Sequence, residues 1–156
     1  MSKRPDDGPR ILNRKATHDF ELIERVEAGL ALTGSEVKSL REGKASLDGA
    51  FAVIRGTEMW LRDCEIQPYP MAGYAQHKPK RERKLLLHRA EIRKLLGKVT
   101  LKGLTLVPTK IYFNERGLAK VEIALAKGKK YHDKRESIKK RDTQRDQART
   151  RARSRR

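Results

Sequence analysis

The residue types that carry out enzymatic chemistry are thinly scattered in this chain. Four histidines, His18, His77, His88 and His132, lack the i,i+4 pairing or cysteine partners that a helical or knuckle zinc site requires. Cys64 is the sole cysteine, which rules out internal disulfides and multi-cysteine metal clusters; inside a predicted strand it fits a small buried apolar group. No Gly-x-Ser-x-Gly, Gly-x-Gly-x-x-Gly or phosphate loop ending in Gly-Lys-Ser/Thr occurs. A pair such as His18 with a nearby lysine could cleave RNA by proton transfer, but a single strand histidine more often packs or caps. The reading is therefore of a chain with no enzyme activity, cofactor or metal.

Binding chemistry is much better represented. The 156 residues carry a formal charge of +18 and a pI near 10.4, which points to a polyphosphate partner. The basic loop Lys78, Lys80, Arg81, Arg83 and Lys84 lies beside Tyr74 and His77, offering phosphate contacts and rings on which an unstacked base could lie. A solvated loop is the plainer alternative. Glu27 has two readings: an ion-pair partner, or an exposed acceptor for base amino groups where a lysine would meet only phosphate. Leu86 fits a core position on pattern alone.

The last thirty residues, Lys127 to Arg156, hold fourteen Lys/Arg against four Asp/Glu, with Ile138 the only large aliphatic side chain. So little apolar area cannot offset an ordering cost of roughly 1–2 kcal/mol per residue, so the segment is expected to be disordered until an anionic partner orders it. Apolar runs of only a few residues, and a basic tail without a Trp/Phe/Leu face, argue against membrane attachment. No secretory signal is visible, so a cytoplasmic protein is expected.

Positioning these groups falls to one modest domain, expected at residues 11–127 between a flexible 1–10 and a basic tail at 128–156. His18 to Leu32 alternates with period two, with Ile23 an exception, and predicts a long half-buried strand, with Gly29 suggesting a bulge or a bend that lets the sheet curl towards a barrel. Thr33-Gly34-Ser35-Glu36 predicts a capping box and a helix that buries Val37, Leu40 and Ala45 and turns Lys38, Arg41 and Lys44 to water. Ala50 to Arg55 and Met59 to Ile66 read as a hairpin about Gly56-Thr57. Residues 67–83 read as a loop, and Leu85-Leu86-Leu87 as the lead-in to a short helix that buries Ile92, Leu95 and Leu96 and ends at Gly97-Lys98. Leu104 to Phe113 and Leu118 to Ala126 form a last hairpin, with Pro108 at an edge or bulge. The fold class expected is mostly β with short helices: a largely antiparallel β-barrel of the OB type with about five to six strands. An open sheet with two helices on one face would use the same elements.

With these residues in view, the chain resembles the SsrA-binding (small protein B) family of bacterial trans-translation over nearly its whole length. The likeness runs through Asn13-Arg14-Lys15-Ala16 with His18, Glu27-Ala28-Gly29-Leu30, Gly34 with Glu36-Val37-Lys38-Ser39-Leu40-Arg41, and Gly43-Lys44-Ala45. It continues in Arg83-Lys84-Leu85-Leu86-Leu87 and in Ala126-Lys127-Gly128-Lys129-Lys130 leading to His132-Asp133-Lys134-Arg135 and Ile138-Lys139. The resemblance implies an OB-type barrel that binds the tRNA-like part of transfer-messenger RNA. It implies RNA contacts by Glu27, Leu86 and His88, the last where relatives often hold Asn, with support from Lys38, Arg41, Lys44 and Lys84. It implies that the tail enters the empty decoding site and messenger channel of a stalled ribosome along 16S rRNA, using Lys129, Lys130, His132, Asp133, Lys134 and Arg135. Some relatives carry tryptophan at Thr143 and an aliphatic pair at Arg151-Ala152, so distal contacts here would be nearly all electrostatic. The protein is taken as a monomer. A generic OB-type RNA chaperone or ribosome-associated protein is the alternative reading.

Overall fold

The computed structural model describes residues 9–128, 141 and 143–150. The chain runs β1 (Ile11–Leu12), α1 (Arg14–Asp19), β2 (Phe20–Leu30), α2 (Gly34–Arg41), β3 (Ala45–Ser46), β4 (Phe51–Arg55), β5 (Glu58–Arg62), β6 (Glu65–Ile66), β7 (Arg83–Leu86), α3 (Arg89–Lys102), β8 (Thr105–Phe113) and β9 (Ala119–Gly128). Residues 143–150 are helical with exposed side chains. Among the described residues no helix is long and apolar enough to cross a membrane.

Seven strands form one antiparallel sheet whose pairings return to their start: β8–β4–β5–β7–β2–β9 and back to β8, with β1 added to β8. A two-stranded ribbon of β3 and β6 stands apart. The sheet has more strands than expected because Arg83–Leu86 is a strand and not a helix lead-in. It joins β5 through Met59↔Leu85 and β2 through Gly29↔Leu86, so it links the first hairpin to β2, which in turn pairs with β9 of the second. The first predicted hairpin ends early: β5 stops at Arg62, where Asp63 takes φ 57, and Ile66 belongs to β6.

Two bulges decide which side chains fill the barrel. One interrupts β2 between Leu22 and Glu24, the other β8 between Pro108 and Lys110. Each bulge adds one residue and moves the alternation onto the other face. Before the first, Phe20 and Leu22 pack with Ala16, Val107 and Ala126 in a small outer cluster; after it, Val26, Ala28 and Leu30 enter the main core. The expected strand from His18 is therefore two elements. Arg14–Asp19 is a helix because Ala16, 2% exposed, docks on that outer cluster. Asn13 fixes the start of this helix, its N–H donating to the Thr109 carbonyl at 2.8 Å and Nδ2 to that of Pro108 at 2.8 Å. His18 thus sits on a helix, its Nδ1 2.9 Å from the Asp19 carboxylate.

Gly29 is not the bulge. It stays in register with Lys120 and Leu86, and a Cβ there would lie 3.1 Å from the Leu86 Cβ, so glycine lets β2 and β7 approach at that point. The helix α3 runs past Gly97-Lys98 because Ile92, Leu95 and Val99 continue one apolar stripe onto the core. It ends where Gly103 adopts φ 60; Leu96, expected inside, is 40% exposed.

The predicted reach-back at α2 is present, the Thr33 N–H donating to Glu36 Oε1 at 2.9 Å, but Glu36 does more than cap. It is fully buried beside the fully buried Arg83, whose Nε donates to Glu36 Oε2, and Arg81 Nη2 donates to Oε1 at 2.5 Å. Arg83 also donates to the carbonyls of Cys64 at 2.7 Å, Arg81 at 2.9 Å and Pro79 at 3.1 Å. This network ties the 67–83 loop to α2 and β7. Burial opposes the charged form of Glu36, but the hydrogen bonds from Arg81 and Thr33 and the charge of Arg83 outweigh it and hold the carboxyl below its ordinary range.

Candidate RNA interface

With Val26, Ala28 and Leu30 turned inward, Arg25, Glu27 and Gly29 must face out from β2. Glu27 stands directly opposite Glu122 of β9, a like-charge pair that the surroundings have to relieve. Glu122 is relieved by Arg25 at 3.4 Å and Lys110 at 3.3 Å. Glu27 instead accepts a hydrogen bond from the Tyr112 hydroxyl of β8. Partial burial, then the Glu27 hydrogen bond and charge, push the Tyr112 phenol well above its ordinary value, so it stays a neutral donor.

The absent side chain at Gly29 makes room for Leu86, which is 53% exposed while its neighbour Leu85 is 1% exposed. Strand alternation forces that division: Leu85 fills the core and Leu86 lies on the surface. His88, two residues on, is the N-cap of α3 in extended conformation, its carbonyl accepting from the Ile92 N–H at 3.1 Å. Together Glu27, Gly29, Leu86, Leu87, His88, Glu91 and Lys120 line a shallow pocket of about 350 Å³. It offers a carboxylate acceptor, an apolar platform, an imidazole and an ammonium within one concavity. Those are the means of reading a base edge, covering a base or ribose face, and fixing a phosphate.

Of the other sequence-derived residues, Lys84 adjoins this pocket through Leu86. Lys84 lies on the far side of Leu86, in a second recess with Thr57, Glu58 and Arg89, its Nζ 3.2 Å from Glu58. Lys38, Arg41 and Lys44, on α2 and its exit, have partners of their own. Lys38 stands over the Tyr69 ring at 5.3 Å, Arg41 over Phe113 at 4.5 Å while donating to the Gly117 carbonyl at 3.3 Å, and Lys44 pairs with Glu42 at 3.1 Å. The tail set Lys129, Lys130, His132, Asp133, Lys134 and Arg135 lies outside the described residues.

The basic loop is corrected more sharply. Arg83 and Arg81 are committed to Glu36, and His77 is buried with Nδ1 2.8 Å from Ser35 Oγ and Nε2 2.9 Å from the Ile66 carbonyl. His77 is a strut and not a stacking ring. Lys78, Lys80 and Tyr74 are the members that remain exposed. Conversely, Tyr112, Lys120 and Glu91 belong to the site and were not singled out from the sequence. The last hairpin's alternation turns Tyr112 and Lys120 outward, but only the strand order places them beside Glu27.

Comparison with known proteins shows the family of the chain. The family model described as SmpB protein matches residues 10–153. The chain is 56% identical over 137 residues to the SsrA-binding protein of Moorella thermoacetica, covering 88% of each chain. It is 54% identical to that of Methylobacterium nodulans over 151 residues, 96% of each, and 56% identical to that of Thermus thermophilus over 132 residues, 85% of this chain and 92% of the relative. A solved chain from a structure described as "tmRNA-SmpB: a journey to the center of the bacterial ribosome" superimposes with a TM-score of 0.68 at 53% identity, covering 84% of this chain and 95% of that one. The chain belongs to the SmpB protein family.

Proposed function

We propose that this protein binds the tRNA-like part of transfer-messenger RNA and delivers it to stalled ribosomes for trans-translation in the cytoplasm. The observation that carries the reading is that Glu27 and the Leu86–His88 stretch, about sixty residues apart in the sequence, open into one pocket on a chain of the SmpB family. Exposed leucine beside an exposed carboxylate is a poor surface for water and a good one for an unpaired base. Lys84, Lys38, Arg41 and Lys44 supply positive field around it and hold the phosphate backbone without reading sequence.

The tail binds a different RNA. Fourteen basic residues in thirty suit ribosomal RNA along the decoding site and messenger channel, and a helix from Asp133 to Arg156 would span about 35 Å at ~1.5 Å per residue. Truncation after Gly128 tests this division: the shortened protein keeps its affinity for transfer-messenger RNA and loses peptide tagging on stalled ribosomes, whereas Glu27→Ala or Leu86→Asp weakens RNA binding first. Equal loss of RNA affinity in the truncated and substituted proteins would refute it. A general RNA chaperone would bind unrelated RNA of equal length as well as the tRNA-like fragment, so a competition titration excludes it.

A further inference from the structure

We infer that Tyr112 is a positioning residue, holding the Glu27 carboxylate so that it receives an amino group from an unpaired base of bound RNA. This inference rests on the RNA-binding role proposed for the Glu27 pocket. Tyr112 lies on the outer face of β8 opposite Lys120, and Lys120 lies opposite Gly29. Its hydroxyl therefore reaches over β9, across two strand spacings of about 4.8 Å each, to bond Glu27 Oε2. The Lys110 ammonium, 5.4 Å from the ring centroid, holds the ring in place. Lys110 is itself anchored on Glu122 at 3.3 Å, and Arg25 meets Glu122 at 3.4 Å.

Two cations of this face, Arg25 and Lys110, thus go to Glu122. Among the described residues Glu27 has no lysine or arginine partner; its hydrogen bond comes from a neutral phenol. In a chain of charge +18 that is a distinctive arrangement, because a carboxylate without an ion-pair partner repels phosphate and gains from RNA only through N–H or O–H donors. With Oε2 bonded to Tyr112, Oε1 is left for the pocket that Leu86, His88 and Lys120 share. The exocyclic amino group of an unpaired base is the donor that suits it, with the base lying towards Leu86 and the adjoining phosphate towards Lys120. The phenol contributes direction, and its elevated pKa keeps the proton on it through the physiological range.

The test is a binding cycle on the full-length protein, with the tRNA-like fragment of transfer-messenger RNA as probe and four proteins: unsubstituted, Tyr112→Phe, Glu27→Ala and the double variant. Phenylalanine keeps the ring and its contact with Lys110. Tyr112→Phe is expected to weaken binding about tenfold, the scale of one hydrogen bond to a charged group. In the Glu27→Ala background the same change should alter affinity less than about twofold, a coupling that a merely structural role would not produce. If Glu27→Ala weakens binding and Tyr112→Phe does not, or does so equally in both backgrounds, the positioning role is overturned and the RNA-binding reading survives. If Glu27→Ala leaves affinity unchanged, that reading itself fails and this inference falls with it.

Discussion

Replacing Glu36 by glutamine removes one charge from the most buried polar network of the barrel and should be among the most damaging isosteric changes available. The carboxylate accepts from the Thr33 N–H at 2.9 Å, Thr33 Oγ1 at 3.1 Å and Arg81 Nη2 at 2.5 Å on one oxygen, and from Arg83 Nε on the other. In Glu36→Gln one oxygen survives for the first three donors, while the amide NH2 faces the Arg83 guanidinium, donor against donor. Arg83 is fully buried, so its charge is left without a counter-ion, a change that costs about 3–5 kcal/mol. At about 4 °C per kcal/mol for a body of this size, the melting temperature should fall by about 12–20 °C. Calorimetry or circular dichroism melts of the full-length protein measure it. The pH dependence adds a second readout. Because the folded-state pKa of Glu36 is depressed, its stabilisation is fully present above the unfolded glutamate value and is lost as pH falls through the folded one. Acid denaturation of the variant should therefore lose part of its slope below about pH 4.5. A loss under about 1 kcal/mol at neutral pH would refute the reasoning, since it would mean that carbonyls alone satisfy Arg83.

Two further outcomes follow from single contacts. Gly29→Val should displace Leu86, because its Cβ would start 3.1 Å from the Leu86 Cβ; a stability loss of about 1–3 kcal/mol and a drop in RNA affinity of about tenfold are expected in melts and fluorescence titrations. Cys64 is fully buried and its thiol is pushed up to about 11 by burial, so it should resist an aromatic disulfide reagent at pH 8 in the folded protein and react rapidly in urea.

Much of the architecture was legible wherever one local rule settled the matter. Gly56-Thr57 and Asn114 to Gly117 gave both hairpins, Glu36 its reach-back at Thr33, and Pro108 its bulge. What escaped the sequence depended on distant partners. The period-two pattern from His18 to Leu32 is real in side-chain polarity, yet the bulge at Ile23, an apolar residue among the charged odd positions, sends its two halves to different clusters, and one such exception does not by itself reveal a slip. β7 could not be read from Leu85-Leu86-Leu87 because its strand character comes from pairing with β5 and β2, far away in sequence. The basic loop misled for a related reason: charge patterning cannot distinguish an arginine that meets phosphate from Arg83, which meets a buried glutamate. At the site, Glu27, Leu86 and His88 came from family resemblance, and residue pattern alone left Leu86 in the core. The barrel explains its exposure, by placing Leu85 inward and Gly29 beside it.

The claim that the Glu27–Leu86–His88 pocket receives the tRNA-like part of transfer-messenger RNA is tested most directly by cross-linking from within the pocket. Glu91 lines it, is exposed and has been given no contact role, so a photo-reactive side chain in its place reports what lies there in the cell. One RNA species should dominate the sequenced cross-links, attached within its tRNA-like part. Cross-links spread over many RNAs, or confined to ribosomal RNA, would contradict the claim.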